Sequence, residues 1–352
     1  MGKTYKKRTT KKRIKRGGLR GGGVIGVGGH GCVFSPALKC AGSNTRKNGY
    51  VSKVASEQNI DEEWDNTYIA RAINRDSKYF IYPVERCDKA PLNASNKEEN
   101  CPIKNTGPEI LQSLYGGINL YDILVPYEDM PAFFEGFINI FDGISLLHFN
   151  QYAHRDIKLE NMVGIREPSG AYNLRLIDFG LASRFSDLIR FPVSTNYLYW
   201  SYEMRLLDNN YVYNENDVKK FMDEISFRKF PSWLYNNSDG SSKLTEDYVK
   251  ELKAKIQSSR KNMAQVIIAS EVYALGRALY EAWYLSTSYI YTIGGKVVKT
   301  EESYPDIPDW ISYLVFSLVT DMCHYHPFSR TSINDSREIL IGIVTFLKQE
   351  LK

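Results

Sequence analysis

The chain has 352 residues, which at about 150 per domain is room for two ordinary domains or a single large two-lobed one. Its 43% hydrophobic and 13% aromatic content can bury enough apolar surface to offset chain entropy, which excludes disorder throughout. Net charge is +4, but ten of the 45 basic residues fall within residues 1–20, which hold no acid, so the remainder carries 35 minus 41, or −6.

Residues 1–22 are read as a flexible basic arm ending in glycines. Met1-Gly2 does not make a myristoylation signal, because the sixth residue is Lys6 where Ser or Thr is wanted. The glycines that follow the basic run are unlike a signal peptide, and no stretch approaches the roughly 18 consecutive apolar residues of a membrane span. Neither secretion nor membrane insertion is expected. Five cysteines (Cys32, Cys40, Cys87, Cys101, Cys323) are few, odd in number and never spaced C-x-x-C, so a reducing, intracellular setting is expected.

Val24 to Phe34 reads as strand, glycine-rich turn and strand, and Tyr50 to Val54 as a further strand. Trp64, Tyr68, Ile69, Ala72 and Ile73 give residues 60–73 a helical period, and Tyr79 to Val84 reads as a strand. Arg86 to Thr106, polar and aperiodic, is expected to be a surface excursion. Phe133, Phe134, Phe137, Ile140, Phe141, Ile144 and Leu147 mark an amphipathic helix. Met162–Ile165 and Leu174–Ile177 form a hairpin around Glu167-Pro168-Ser169-Gly170. Residues 205–265 are a polar insert with helical stretches at Asn216–Ile225 and Leu244–Ile256, and Trp310 to Leu351 reads as two helices split at His326-Pro327. A strand-rich first third before a helical remainder predicts an α+β, two-lobed architecture.

Gly26-Val27-Gly28-Gly29-His30-Gly31-Cys32-Val33 fits G-x-G-x-x-G-x-V between two strands, a turn whose amides can face phosphates. Taken alone it is also an ordinary hairpin. The third glycine runs into a strand rather than a helix, which disfavours a dinucleotide fold, and no G-K-[ST] occurs. More telling is His154-Arg155-Asp156-Ile157-Lys158-Leu159-Glu160-Asn161, followed by Asp178-Phe179-Gly180. Asp156 is suited to orient a hydroxyl and accept its proton, while Asn161 and Asp178 offer the hard oxygens Mg²⁺ prefers from two ends of one hairpin.

These motifs resemble the protein kinase superfamily, over nearly all of Val24 to Leu351. The resemblance implies a two-lobed protein kinase-like fold, with a strand-rich N-terminal lobe at residues 23–116 and a helical C-terminal lobe at 117–352. It implies ATP bound by Gly26, Gly28, Gly31, Val33, Val51 and Lys53, Mg²⁺ held by Asn161 and Asp178, and catalysis by Asp156 with Lys158, whose position marks serine/threonine acceptors on a protein substrate. It also implies a structural ion pair between Glu203 of Trp200-Ser201-Tyr202-Glu203 and Arg330, and a catalytic loop anchored by Glu271. Arg155 is the residue that related kinases pair with an activation-loop phosphate, and Ser194, Thr195 and Tyr197 lie in the candidate loop; an acidic side chain is the alternative partner for Arg155.

Several positions depart from the family. Glu271 replaces the usual Asp, Tyr202 replaces the Pro of A-P-E, and the acid expected to pair with Lys53 is open between Asp65, Glu63 and Glu62. The insert reads as a decoration or docking surface. The arm reads as a nucleic-acid, nuclear-targeting or acidic-partner segment, or as a solubilising tail. Arm, divergent body and insert together resemble kinases of large DNA viruses, implying a host cytoplasmic or nuclear and virion-associated protein. The competing expectation is a pseudokinase scaffold that binds without turnover.

Overall fold

A computed structural model describes residues 23–28, 31–43, 47–74, 76–89, 101, 107–123, 125–190, 199–227, 230–293, 296–303 and 307–351. The basic arm and Ser194, Thr195 and Tyr197 lie outside the described residues, as does most of the stretch 90–106. The chain is mixed α/β, with a strand-rich part and a helical part. It divides into two compact units, one of residues up to Ile60 with Val84–Ser113, the other of Asp61–Pro83 with Leu114–Lys352.

The first unit is built on a sheet of β1 (Gly23–Gly28), β2 (Gly31–Ser35), β3 (Tyr50–Ala55), β4 (Pro83–Asp88) and β5 (Glu109–Leu114), in the order β1-β2-β3-β5-β4. Alternation along β2 sends Cys32 and Phe34 into a core shared with Leu38, Val54 and Ile110. The strand expected at Tyr79–Val84 is displaced: β4 starts at Pro83 and runs to Asp88, while Phe80 makes only an isolated parallel bridge to Leu176. Arg86 is therefore a strand residue, its guanidinium bonded to Glu109 on the neighbouring strand (Nε to Oε1 2.9 Å).

The cysteines depart from what a reducing setting implies. Cys32 is joined to Cys101 and Cys40 to Cys87, leaving Cys323 as a buried free thiol. With separations of 69 and 47 residues, neither pair leaves a local spacing signal. Both cross-links sit where a small apolar core has least to spare.

The expected helix at 60–73 is α1 (Glu57–Asn66) followed by α2 (Tyr68–Ile73). Helical hydrogen bonds run through the junction, from Thr67 N–H to Glu63 O and from Arg71 N–H to Thr67 O. In the second unit α3 (Met130–Phe149) is long and apolar enough to cross a membrane by length and composition, and here it is a core helix. Its Phe134 ring lies 5.3 Å from that of Trp283. It packs against β9 of a three-stranded sheet ordered β6 (Ile118–Asn119), β8 (Met162–Arg166), β9 (Tyr172–Leu176), which contains the expected hairpin. A further two-stranded pairing joins β7 (Tyr152–Ala153) to β10 (Ser183–Arg184), and α4 (Phe185–Arg190) follows.

The insert holds α5 (Glu215–Phe227) and α6 (Glu246–Gln257), close to the expected bounds. Val218, Phe221, Ile225, Val249, Leu252 and Ile256 enter the same core as α3, so its helices belong to the packed body and are not an appendage. Next comes α7 (Arg260–Thr287), buried all round from Ala269 to Leu279, as a central core helix must be. The hairpin β11 (Ser288–Ile293) with β12 (Lys296–Ser303) has no counterpart among the expected elements. Its signal is Gly294-Gly295 between β-branched and aromatic runs. α8 (Asp309–Met322) and α9 (Ile333–Glu350) are the two closing helices, and α9 lies along α3.

Candidate active site

In the first unit the glycine-rich segment and the expected lysine are neighbours across one sheet. Register pairs Gly28 with Gly31, Gly26 with Val33, and Val33 with Lys53, and Val51 lies two residues before Lys53 on β3. A Cβ at position 31 would lie 2.8 Å from the Val54 carbonyl oxygen and 3.3 Å from Lys53 Cε. Glycine there is thus required by strand packing, whatever ligand crosses it. His30 lies outside the described residues.

In the second unit the residues from His154 to Asn161 gather around one carboxylate. Asp156 is 8% exposed, and its Oδ2 accepts from Lys158 Nζ at 2.9 Å and Asn161 Nδ2 at 2.6 Å. The same Asn161 amide donates to the Asp156 main-chain oxygen at 3.0 Å, so its own oxygen is the atom left to serve a cation. Asp178 is tied to this group through the backbone, because Ile177 N–H donates to Asn161 O at 2.9 Å. Asp178 has φ +64°, in the left-handed region, with Oδ1 accepting from Gly180 N–H at 3.3 Å. Its neighbour Phe179 is fully buried, edge-on to Phe80 at 5.3 Å and to His154 at 4.8 Å.

Glu271 reaches the loop from α7. Its Oε2 accepts from His154 N–H at 2.8 Å and its Oε1 from Arg155 N–H at 2.7 Å. Burial alone would raise this carboxyl, but the His148 and His154 imidazoles and the donated N–H bonds outweigh it and hold it below the usual carboxylate range. His148, on the last turn of α3, stands with Nε2 3.6 Å from Oε2. The extra methylene of Glu over Asp is thus accommodated, with the His154 and Arg155 N–H groups both anchored.

Arg155 is already engaged. Its Nη1 donates to Ser183 Oγ at 2.9 Å and to Leu181 O at 3.1 Å, and the guanidinium carbon is 5.0 Å from the Trp200 ring centroid. Burial lowers its pKa, with Glu271 opposing. The expected structural ion pair forms at 1% exposure on both sides: Arg330 Nη1 bonds Glu203 Oε1, and Nη2 bonds Oε2 at 3.2 Å. The sequence motifs name Trp200 only as a neighbour of Glu203 and leave Ser183 out. Trp200 stands in an aromatic-rich run in which nothing distinguishes it. Glu62, Glu63 and Asp65 lie in the second unit and Lys53 in the first. Among the described residues no three His, Cys, Asp or Glu side chains gather as metal ligands.

No family model matches the chain. A search of known proteins finds the serine/threonine-protein kinase chk1 of Schizosaccharomyces pombe, 38% identical over 81 residues. The match covers 22% of this chain and 15% of that protein. Over that stretch the chain is kinase-like.

Proposed function

We propose that the chain is an ATP- and Mg²⁺-dependent protein kinase that transfers the γ-phosphoryl group to Ser or Thr hydroxyls of a protein substrate, on a two-lobed kinase fold. The observation that carries this reading is the convergence of Lys158 and Asn161 on the Asp156 carboxylate, with the backbone before it anchored by Glu271. Asp156 orients the acceptor hydroxyl and takes its proton. Lys158 keeps a positive charge 2.9 Å from that carboxylate, where negative charge develops on the transferred group. Lys53 and the backbone of Gly26, Gly28 and Gly31 hold phosphates in this reading, with Val33 and Val51 beside the base.

Asn161 and Asp178 supply two hard oxygen donors, too few to bind Mg²⁺ alone but suited to an ion that arrives with nucleotide phosphates as its other ligands. When bound, the ion neutralises phosphate charge. The arm, residues 1–22, is assigned to an acidic or nucleic-acid partner inside the cell, with residues 23–116 and 117–352 as the two lobes.

The test is incubation of purified protein with γ-labelled ATP, Mg²⁺ and a degenerate peptide library, with Asp156→Asn as the blank. Label on Ser or Thr is expected, lost in Asp156→Asn while nucleotide binding is kept. Nucleotide binding without transfer by the wild type would establish the scaffold alternative instead, and predominant phosphotyrosine would overturn the acceptor assignment.

A further inference from the structure

Arg155 has φ +67°, a left-handed conformation that a non-glycine residue holds only when its surroundings fix it. That conformation turns its two peptide groups away from any regular ladder, so each needs a partner of its own. The N–H finds Glu271 Oε1 at 2.7 Å. The carbonyl accepts from the Trp200 indole N–H at 2.7 Å, across 45 residues of chain. This carbonyl belongs to the peptide whose N–H is that of Asp156, and that N–H faces His154 Nδ1 at 3.3 Å.

We propose that Trp200 is a positioning residue for Asp156: its indole N–H fixes the Arg155–Asp156 peptide while its ring face seats the Arg155 guanidinium. The indole is itself held. Trp200 is 6% exposed and stands three residues before Glu203, whose pair with Arg330 is buried and further tied to the Ala269 carbonyl by Arg330 Nη1 at 2.9 Å. Support therefore runs from the helical core through Arg330, Glu203 and Trp200 to the backbone of the residue that orients the acceptor. Glu271 on one side of Arg155 and Trp200 on the other form a clamp. Removing either jaw frees the peptide to relax from its left-handed state and turns the carboxylate away from the angle that Lys158 and Asn161 set.

The side chain of Arg155 leads to the same conclusion. Ser183 Oγ and Leu181 O both accept from Nη1 and the Trp200 face lies against the guanidinium, so this side chain ties the loop to the chain's own groups.

The test replaces Trp200 site-specifically with β-(3-benzothienyl)alanine, which keeps the ring size and face but has sulfur in place of the N–H. Trp200→Phe is the genetically simpler companion. The kinetic arm rests on the kinase reading; amide hydrogen exchange of the segment 152–161 does not. For the isostere, kcat is expected to fall about three- to tenfold, the worth of one hydrogen bond, with KM for ATP and the melting temperature nearly unchanged. Exchange at Arg155 and Asp156 is expected to accelerate by a similar factor. A kcat within about twofold of wild type, or a loss shared equally by nucleotide affinity and thermal stability, overturns the proposal. If the wild type transfers no phosphate, the kinase reading falls by itself and exchange decides: acceleration upholds the clamp, and unchanged exchange refutes it.

Discussion

The Glu203–Arg330 pair is where a single substitution is expected to cost most. Arg330→Met keeps much of the aliphatic bulk but removes a guanidinium that also donates to His324 O through Nε at 2.8 Å and to Ala269 O at 2.9 Å. It leaves Glu203, 1% exposed, with Ser201 Oγ as its remaining side-chain hydrogen-bond donor among the described residues, and it empties the place over the Tyr273 ring 5.1 Å away. Burial works against the charge on Arg330, yet Glu203 opposite more than offsets this and holds its pKa above the ordinary value. Breaking a buried pair in this way costs about 3–5 kcal/mol, because an uncompensated charge stays behind. At about 1.4 °C per kcal/mol for a chain of this size, the melting temperature should drop roughly 4–7 °C. The control is Lys250→Met, which breaks the exposed Glu246–Lys250 pair at 2.7 Å and should move melting by no more than about 1 °C. Replacing both Glu203 and Arg330 by apolar residues should recover a large share of the loss. Thermal unfolding followed by near-ultraviolet circular dichroism reads all of these, and an Arg330→Met protein melting within about 2 °C of wild type would refute the reasoning.

Two helix glycines should respond to alanine with opposite signs. Gly143→Ala places a Cβ 2.8 Å from Phe80 Cε1 and 3.1 Å from Tyr79 Cβ, so overpacking of about 1–3 kcal/mol outweighs the gain of about 1 in helix propensity, and urea unfolding should show a net loss. Gly342→Ala on α9 meets nothing within 4 Å and should raise stability by up to about 1 kcal/mol. Burial and the neighbouring Asp129, whose Oδ2 accepts from the Tyr172 hydroxyl at 3.2 Å, push the Tyr172 phenol up to about 12. A raised pKa contributes stability that is complete below the unfolded value near 10 and is lost as pH climbs through 12. Tyr172→Phe should flatten that alkaline loss in unfolding free energies measured between about pH 9 and pH 12, and an unchanged slope would count against it.

What can be read in the sequence follows from how far apart the cooperating residues lie. His154 to Asn161 is one uninterrupted run, so its chemistry is visible as text, and the structure brings Lys158 and Asn161 onto Asp156. Glu203 and Arg330 are 127 residues apart, and only the kinase resemblance could pair them. Tyr79, Phe80, Ile81 and Tyr82 form an apolar run that mimics a strand, but Tyr79, Phe80 and Tyr82 serve the helical core while the sheet takes the more polar Pro83–Asp88. β5 leaves no signal because Glu109–Leu114 follows a long polar stretch and is too short to show a period. Trp200 and the four paired cysteines share one reason: their partners are set by tertiary approach alone.

The two disulfides are nested, since residues 40 and 87 both lie within the loop closed by 32 and 101. In the chain-entropy picture each closure is worth roughly 4 kcal/mol, and together less than the sum because one loop encloses the other. That is comparable with the whole stability of a small sheet, whose buried apolar centre here is Cys32, Phe34, Leu38, Val54 and Ile110. Two of those facts meet in one residue. Cys32 is at once a core residue and the link between Gly31 and Val33, so the thiol content of the buffer becomes a variable of the glycine-rich hairpin itself. Preparations handled with and without a dithiol reductant are, for the first unit, two different chain topologies, and stabilities measured on one do not transfer to the other.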